Sequence, residues 1–471
     1  MKQASKLTLL LSLPALLSAC SLMPDYQRPQ PAITLTVQTS MAKPVSELGW
    51  NQFYLDPALQ QLISLALENN QDLQAAALSV KQLQQQYRIQ QATILPQVDM
   101  QGSASRNRTP DSLSSSDTSS ISQQYSVGLA TSAWEIDFFN RIGSLSESAL
   151  QQFFASKAAR DSAQLSLIAQ LADSWFSWQA ARAQYQLALE SHGLREQSYQ
   201  LIKKRFDIGL ASELDLRQAE TAVHEARVLE AQYQQQANQL FTTLQLLTGT
   251  NLDKTQWEAN WQQVGQLRDI PAELSSEVLL QRPDVLQAEY QIKSANADIG
   301  AARAAFFPRL NLTASLGLAG TAPAQLSESG SRQWQIAPQF TLPLLNWGVN
   351  QANLDAAKLQ KEITIARYQQ VIQEAFKEVR DQMEARYTLD AQLQAQNDLT
   401  SATARSLELA QHRFDVGIDS YLAVLDAHRS SIASRLNQID TRLQRLRNQL
   451  TLYKALGGGL FEQTSEVPAT N

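Results

Sequence analysis

The side chains that could do bond-making chemistry are few. There is one thiol, Cys20, and there are four imidazoles, His192, His224, His412 and His428. The histidines lie among polar helical residues with no cysteine or second histidine at metal-site spacing, so they read as solvated surface groups and no metal centre is expected. The chain has no His-Glu-x-x-His, no Gly-x-Ser-x-Gly and no phosphate-binding loop; Gly457-Gly458-Gly459 follows a helical stretch as a cap and does not open one. Neither an enzyme nor a cofactor is expected. A single cysteine also excludes an intramolecular disulfide, which leaves covalent modification of its sulfur as the chemistry to consider.

The residues before Cys20 supply the context. Lys2 and Lys6, the mostly apolar run Leu7 to Leu17 and the small residues Ser18 and Ala19 have the layout of a secretory signal peptide over residues 1–19. Leu17-Ser18-Ala19-Cys20 resembles the bacterial lipoprotein box, which implies diacylglycerol on the Cys20 thiol, N-acylation of the new terminus, and, with Ser21 in place of an aspartate, export to the outer membrane. Net charge is −6, from 39 basic and 45 acidic residues of mixed distribution, so no basic stripe offers itself to nucleic acid. Beyond residue 20 no apolar run approaches the roughly 18 residues of a spanning helix, so a membrane crossing would need strands.

The chain states one pattern twice. Arg205-Phe206-Asp207-Ile208-Gly209 returns as Arg413-Phe414-Asp415-Val416-Gly417, an offset of 208 residues, and each copy precedes 39 residues free of Gly and Pro. A tandem duplication is predicted, with a first repeat over 57–249 and a second over 275–458. In each, a helix (57–93, then 275–305) leads into two strands, about 97–105 and 124–133, then about 309–318 and 334–342. Two long helices follow, about 143–205 and 212–247, then about 349–412 and 420–456. Leu310, Leu312, Ala314, Leu316 and Leu318 alternate with polar or small residues over the length of one tilted membrane strand. Pro338 weakens the last strand, because it cannot donate to a ladder. The stretches 106–122 and 319–333, rich in Ser, Thr, Gly and Pro, read as loops.

Residues 349–416 run for 68 positions without Gly or Pro, roughly 100 Å if helical. Ile365, Tyr368, Ile372, Phe376, Val379 and Met383, like Ile168, Leu171, Trp175 and Trp178, make narrow apolar seams between wet faces, as a hollow helical cylinder requires. Four strands cannot close a membrane barrel, which begins at about eight. Two chains would give eight strands with a lumen filled by side chains; three give twelve, the first closure with a water-filled bore.

The duplication, the Arg-Phe-Asp-x-Gly turns, the segments Trp134 to Phe139 and Leu342 to Gly348, and the ending Leu452 to Gly459 resemble the TolC-like outer membrane factors, in particular their lipidated branch. The resemblance implies a mixed α and β membrane protein: a homotrimer with a 12-stranded outer-membrane β-barrel, four strands per chain, continued by a 12-helix periplasmic α-barrel. It implies a lipid-anchored N-terminal segment over 20–56, an equatorial belt at 250–274 and a tail at 459–471. Function would be that of a passive exit duct for drugs, detergents or other small molecules, completing a tripartite pump with a periplasmic adaptor and an inner-membrane transporter. The tip turns, with Arg205, Gly209, Arg413 and Gly417, would meet the adaptor. Leu422, Asp426 and Arg429 share one helix face at i, i+4 and i+7, and the resemblance places them at a periplasmic gate; read from residues alone, Asp426 and Arg429 could be an exposed salt bridge. Asp215 matches an acid that in some relatives takes a bond from a tyrosine, but here that position is Phe414. The reading from another class is a lipid-anchored periplasmic coiled-coil scaffold or adaptor, which leaves the four strands without a reason.

Overall fold

In the computed structural model the described residues are 21–30, 48–110, 120–270 and 276–460. Cys20 and the signal segment lie outside them. Contacts divide the chain into two units: one takes in residues 21–30, 79–157 and 287–368, the other 48–78, 158–286 and 369–460.

In the first unit, β1 (Asp99–Thr109), β2 (Ser120–Ile136), β3 (Arg309–Gly320) and β4 (Arg332–Thr341) form one antiparallel sheet in that order. Its register keeps like side chains in rows. Met100, Leu129, Leu316 and Trp334 stand opposite one another through all four strands, and the next row is Asp99, Ala130, Ser315 and Gln335. The apolar row is not covered: its members are 76%, 52%, 65% and 73% exposed. A soluble sheet hides its greasy face against a second layer, whereas this one leaves it free for lipid. At one crossing Gly128 faces Gly317 so closely that a Cβ on either would fall about 2.6–2.7 Å from the other's Cα. Between Thr131 and Trp134 the ladder slips at a bulge, where Ala133 takes φ 49° and its N–H donates to Thr313 Oγ1 at 3.2 Å.

The strands outrun their sequence signal. Residues 106–109 pair with 120–123, although both stretches are polar and read as loop. Ladder bonds are made by the backbone and continue beyond the apolar band, where alternation no longer marks them. Pro338 lies in β4, at the sheet edge opposite Leu312, where a missing donor is tolerated.

Helix α1 (Trp50–Phe53) precedes α2 (Pro57–Asn69) and α3 (Gln71–Ala92). The single helix expected over 57–93 breaks at buried Asn70, whose backbone is extended and whose side chain bonds both Leu247 O and the N–H of Leu73. α4 (Arg141–Asp207) and α7 (Val349–Asp415) each run 67 residues, and α5 (Glu213–Thr248) and α8 (Tyr421–Ala455) follow them. α6 (Pro283–Ala304) begins later than the expected 275, after a 3₁₀ turn over Ser276–Gln281, because Pro283 suits only the first turn of a helix. The seam of α4 is closed, with Ile168, Leu171, Trp175 and Trp178 at most 2% exposed. In the second unit Phe53 stacks on Tyr453 at 3.8 Å, and Trp178 packs on Phe241 at 5.0 Å.

Candidate functional site: the helical turns and their flanks

The turns after α4 and α7 have one backbone. Leu210 N–H donates to Arg205 O at 2.7 Å and Gly209 N–H to Phe206 O at 2.9 Å; Ile418 and Gly417 repeat this onto Arg413 and Phe414 at 2.8 and 3.0 Å. This double closure satisfies the last carbonyls of a helix and needs a left-handed residue, which Gly209 and Gly417 supply at φ 78° each. An added Cβ would meet nothing within 4 Å at either position, so glycine is required by conformation and not by space.

Arg413 is paired within its own turn: Nε and a terminal nitrogen bond Asp419 at 2.6 and 2.9 Å. Arg205 instead lies over the ring of Phe414, 4.8 Å from the centroid. Phe414, Tyr421, Val424, Ile202 and Ala219 form a buried cluster, with Phe414 and Tyr421 rings 5.6 Å apart. Phe414, the position the resemblance would give to a tyrosine, is an apolar packing centre. Asp215 has other work: its carboxylate accepts from the backbone N–H and hydroxyl of Ser212 at 3.0 and 2.7 Å, and Ser212 Oγ accepts from Asp215 N–H, a capping box at the start of α5.

On α8, Tyr421 and Val424 face inward while Leu422, Asp426 and Arg429 are all exposed, so the three do share an outward face. Among the described residues Asp426 and Arg429 form no salt bridge, so the surface pair that stood as the alternative to the gate is not formed within the chain.

His428 departs from the expected solvated state. Its Nδ1 is buried without a partner, and burial, then the nearby Arg195 and Arg435 charges, push its pKa down to about 4 despite an opposing contribution from Glu190. Arg195 is itself 6% exposed and donates to Ala222 O at 2.8 Å. His192 Nδ1 lies 2.6 Å from Glu230. Neither environment shows in the polar sequence around these histidines.

Residues 261–270, within the segment expected to form a belt, are held by arginines that sequence reading did not single out. Arg442 donates to the carbonyls of Trp261, Gln262 and Val264 while its guanidinium stacks 5.0 Å from the Trp261 ring; Arg386 donates to Ile270 O and Asp269. Irregular chain on a helical surface exposes carbonyls, and a long cationic donor is a way to satisfy them. Buried Arg282 joins Asp284, Glu378 and Ala455 O in the same unit. In the other unit, residues 21–28 lie along α6: Leu22 O accepts from Arg303, Pro24 O from Asn296, and Arg28 pairs with Glu289, which also takes Lys293 at 3.0 Å. Among the described residues no group of acidic, histidine or cysteine side chains could hold a metal ion, and no helix is long and apolar enough to cross a membrane.

The sequence model of a family described as outer membrane efflux protein matches residues 62–250 and 274–458. The toluene efflux pump outer membrane protein TtgC of Pseudomonas putida is 43% identical over 461 residues, covering 96% of this chain and 95% of that protein. The outer membrane protein OprJ of Pseudomonas aeruginosa is 37% identical over 96% of this chain and 95% of its own. Among solved structures, the open state of the Neisseria gonorrhoeae MtrE outer membrane channel superposes with TM-score 0.83 at 36% identity, covering 94% of this chain and 99% of that one. The Campylobacter jejuni CmeC outer membrane channel gives 0.87 at 27%, with 95% and 96% covered. A chain with this sheet, these helices and these relatives belongs to the outer membrane efflux protein family, whose members are channel components of the outer membrane.

Proposed function

We propose that three copies of this efflux protein close a 12-stranded barrel in the outer membrane, continued by a 12-helix tube, as the passive exit duct of a tripartite pump. The observation that carries the reading is the uncovered apolar row Met100, Leu129, Leu316 and Trp334 on a sheet whose outer strands, β1 and β4, lack partners at their outer edges within the described chain. Strand edges are not tolerated in lipid, so β4 of one copy must pair with β1 of the next until the ring closes. A dimer's eight strands would leave no bore.

Drive comes from a periplasmic adaptor and an inner-membrane transporter, which the turns at Gly209 and Gly417 would engage. The outward face of Leu422, Asp426 and Arg429 would line the closed end of the tube. Asp426 unpaired within the chain fits a ring of like charge facing its copies. A diacylglycerol and N-acyl group on Cys20 would anchor the segment that runs along α6 from Ser21. The cargo would be drugs, detergents or other small molecules such as organic solvents; the name of the TtgC relative gives toluene for its own pump. Deleting the gene and restoring it on a plasmid tests this: the deletion strain should become sensitive to a panel of antibiotics, detergents and solvents and the plasmid should reverse it. Unchanged sensitivity across the panel would refute the reading.

A further inference from the structure

The two turns share a backbone and differ in charge. Residues 203–211 carry three cations, Lys203, Lys204 and Arg205, against one acid, Asp207; residues 411–419 carry one arginine against Asp415 and Asp419. The difference has a structural side. Arg413 commits the Nε edge of its guanidinium, two N–H groups, to the carboxylate of Asp419, six residues on in its own turn. The counterpart of Asp419, 208 positions earlier, is Ala211, so the first turn has no carboxylate at the equivalent place. Among the described residues Arg205 makes no ion pair, and its recorded contact is the face of Phe414 at 4.8 Å. Stacking fixes the plane of a guanidinium and leaves its N–H edge unbonded. Lys203 and Lys204 are exposed and likewise unpaired. Beside them Ile208 and Leu210 project at 70% and 73% exposure.

We infer that the repeated turns are unequal: the first is a docking point for a partner protein that presents a carboxylate flanked by apolar side chains, and the second, already neutralised, contributes packing alone. The inference rests on the efflux reading above and assigns its charged contact to one of the two tips. Held over the ring of Phe414, Arg205 is preorganised to take a carboxylate in the two-pronged way that Asp419 takes Arg413. Lys203 and Lys204 extend the same positive field, which favours an acidic surface and repels a basic one.

The decisive variant copies the second turn's solution into the first. Ala211→Asp should give Arg205 an internal partner, and with it a loss of drug resistance in complemented deletion cells, while unheated gels show the parental amount of trimer in the outer membrane. Arg205→Glu should lose resistance in the same way, Arg205→Lys, which keeps the charge but has no two-pronged edge, should lose only part of it, and Ala211→Asn, which gives Arg205 no charged partner, should keep it with trimer intact. Full resistance in Ala211→Asp, equal loss in Arg205→Lys and Arg205→Glu, or loss in Ala211→Asn with normal trimer would each overturn the inference. A deletion strain no more sensitive than the parent would instead bring down the efflux reading and this inference with it.

Discussion

Asp215 and Phe414 show what a single position can decide. The sequence pairs them as an inter-helix latch that has lost its hydroxyl; in the structure each has a complete local role, Asp215 in the cap of α5 and Phe414 in a buried cluster under Arg205. A cap is worth about 1 kcal/mol. Asp215→Ala should therefore speed amide exchange in the first turn of α5 about fivefold and leave channel conductance at the parental value; raised conductance would restore the latch. His428 is a second case. Its folded pKa is lowered to about 4 from an ordinary 6.5, so between those values the unfolded chain holds the proton that the folded one refuses. The stability linked to this group is complete above about pH 6.5 and drains away as pH falls toward 4. After allowance for partial solvent access this amounts to about 2 kcal/mol. A pH titration of unfolding should show a flatter curve for His428→Gln over that window, and superimposable curves would contradict the assignment. The sequence near His428 does not reveal its burial: Arg435 is on its own helix, but Glu190 and Arg195, which also face it, come from α4, more than two hundred positions earlier.

The elements were legible to the extent that their signal is local. A run without Gly or Pro marks α7, and one interrupted only by Gly143 and Gly193 marks α4; a glycine after the repeated arginine marks each turn, since only a left-handed residue closes that double bond pattern. Gly209→Ala and Gly417→Ala should each cost about 1 kcal/mol through φ alone, read as a lower temperature of trimer dissociation with no change in the folded spectrum; no change at all would mean the turn relaxes. Less legible were the ends of β1 and β2, where polar residues pair through backbone, and the break at Asn70, where one amide side chain caps on both sides. The path of residues 250–270 was not legible at all. It depends on Arg386 and Arg442 reaching backbone carbonyls more than a hundred positions away, and a carbonyl has no sequence.

At the scale of the whole molecule, the strongest physical constraint is an imbalance. The chain exposes a row of apolar side chains across a sheet with two unpaired edges, and it carries three outward residues at the start of α8, Leu422, Asp426 and Arg429, with no salt bridge among the described residues. On the function proposed above, both would be resolved by adding copies of the same chain around an axis: lipid would take the row, neighbours the edges, and the outward residues would meet their own copies across the bore. In such a ring each half of the chain would bring one hairpin and one pair of long helices, so that few strands per chain suffice. The most direct test is single-channel recording of the purified oligomer in planar bilayers. The account predicts discrete, small ion-conducting steps for the parent and distinctly larger ones for Leu422→Ala with Asp426→Ala. No conducting steps from either protein would contradict the channel, and identical conductance from both would move the closure away from this face of α8.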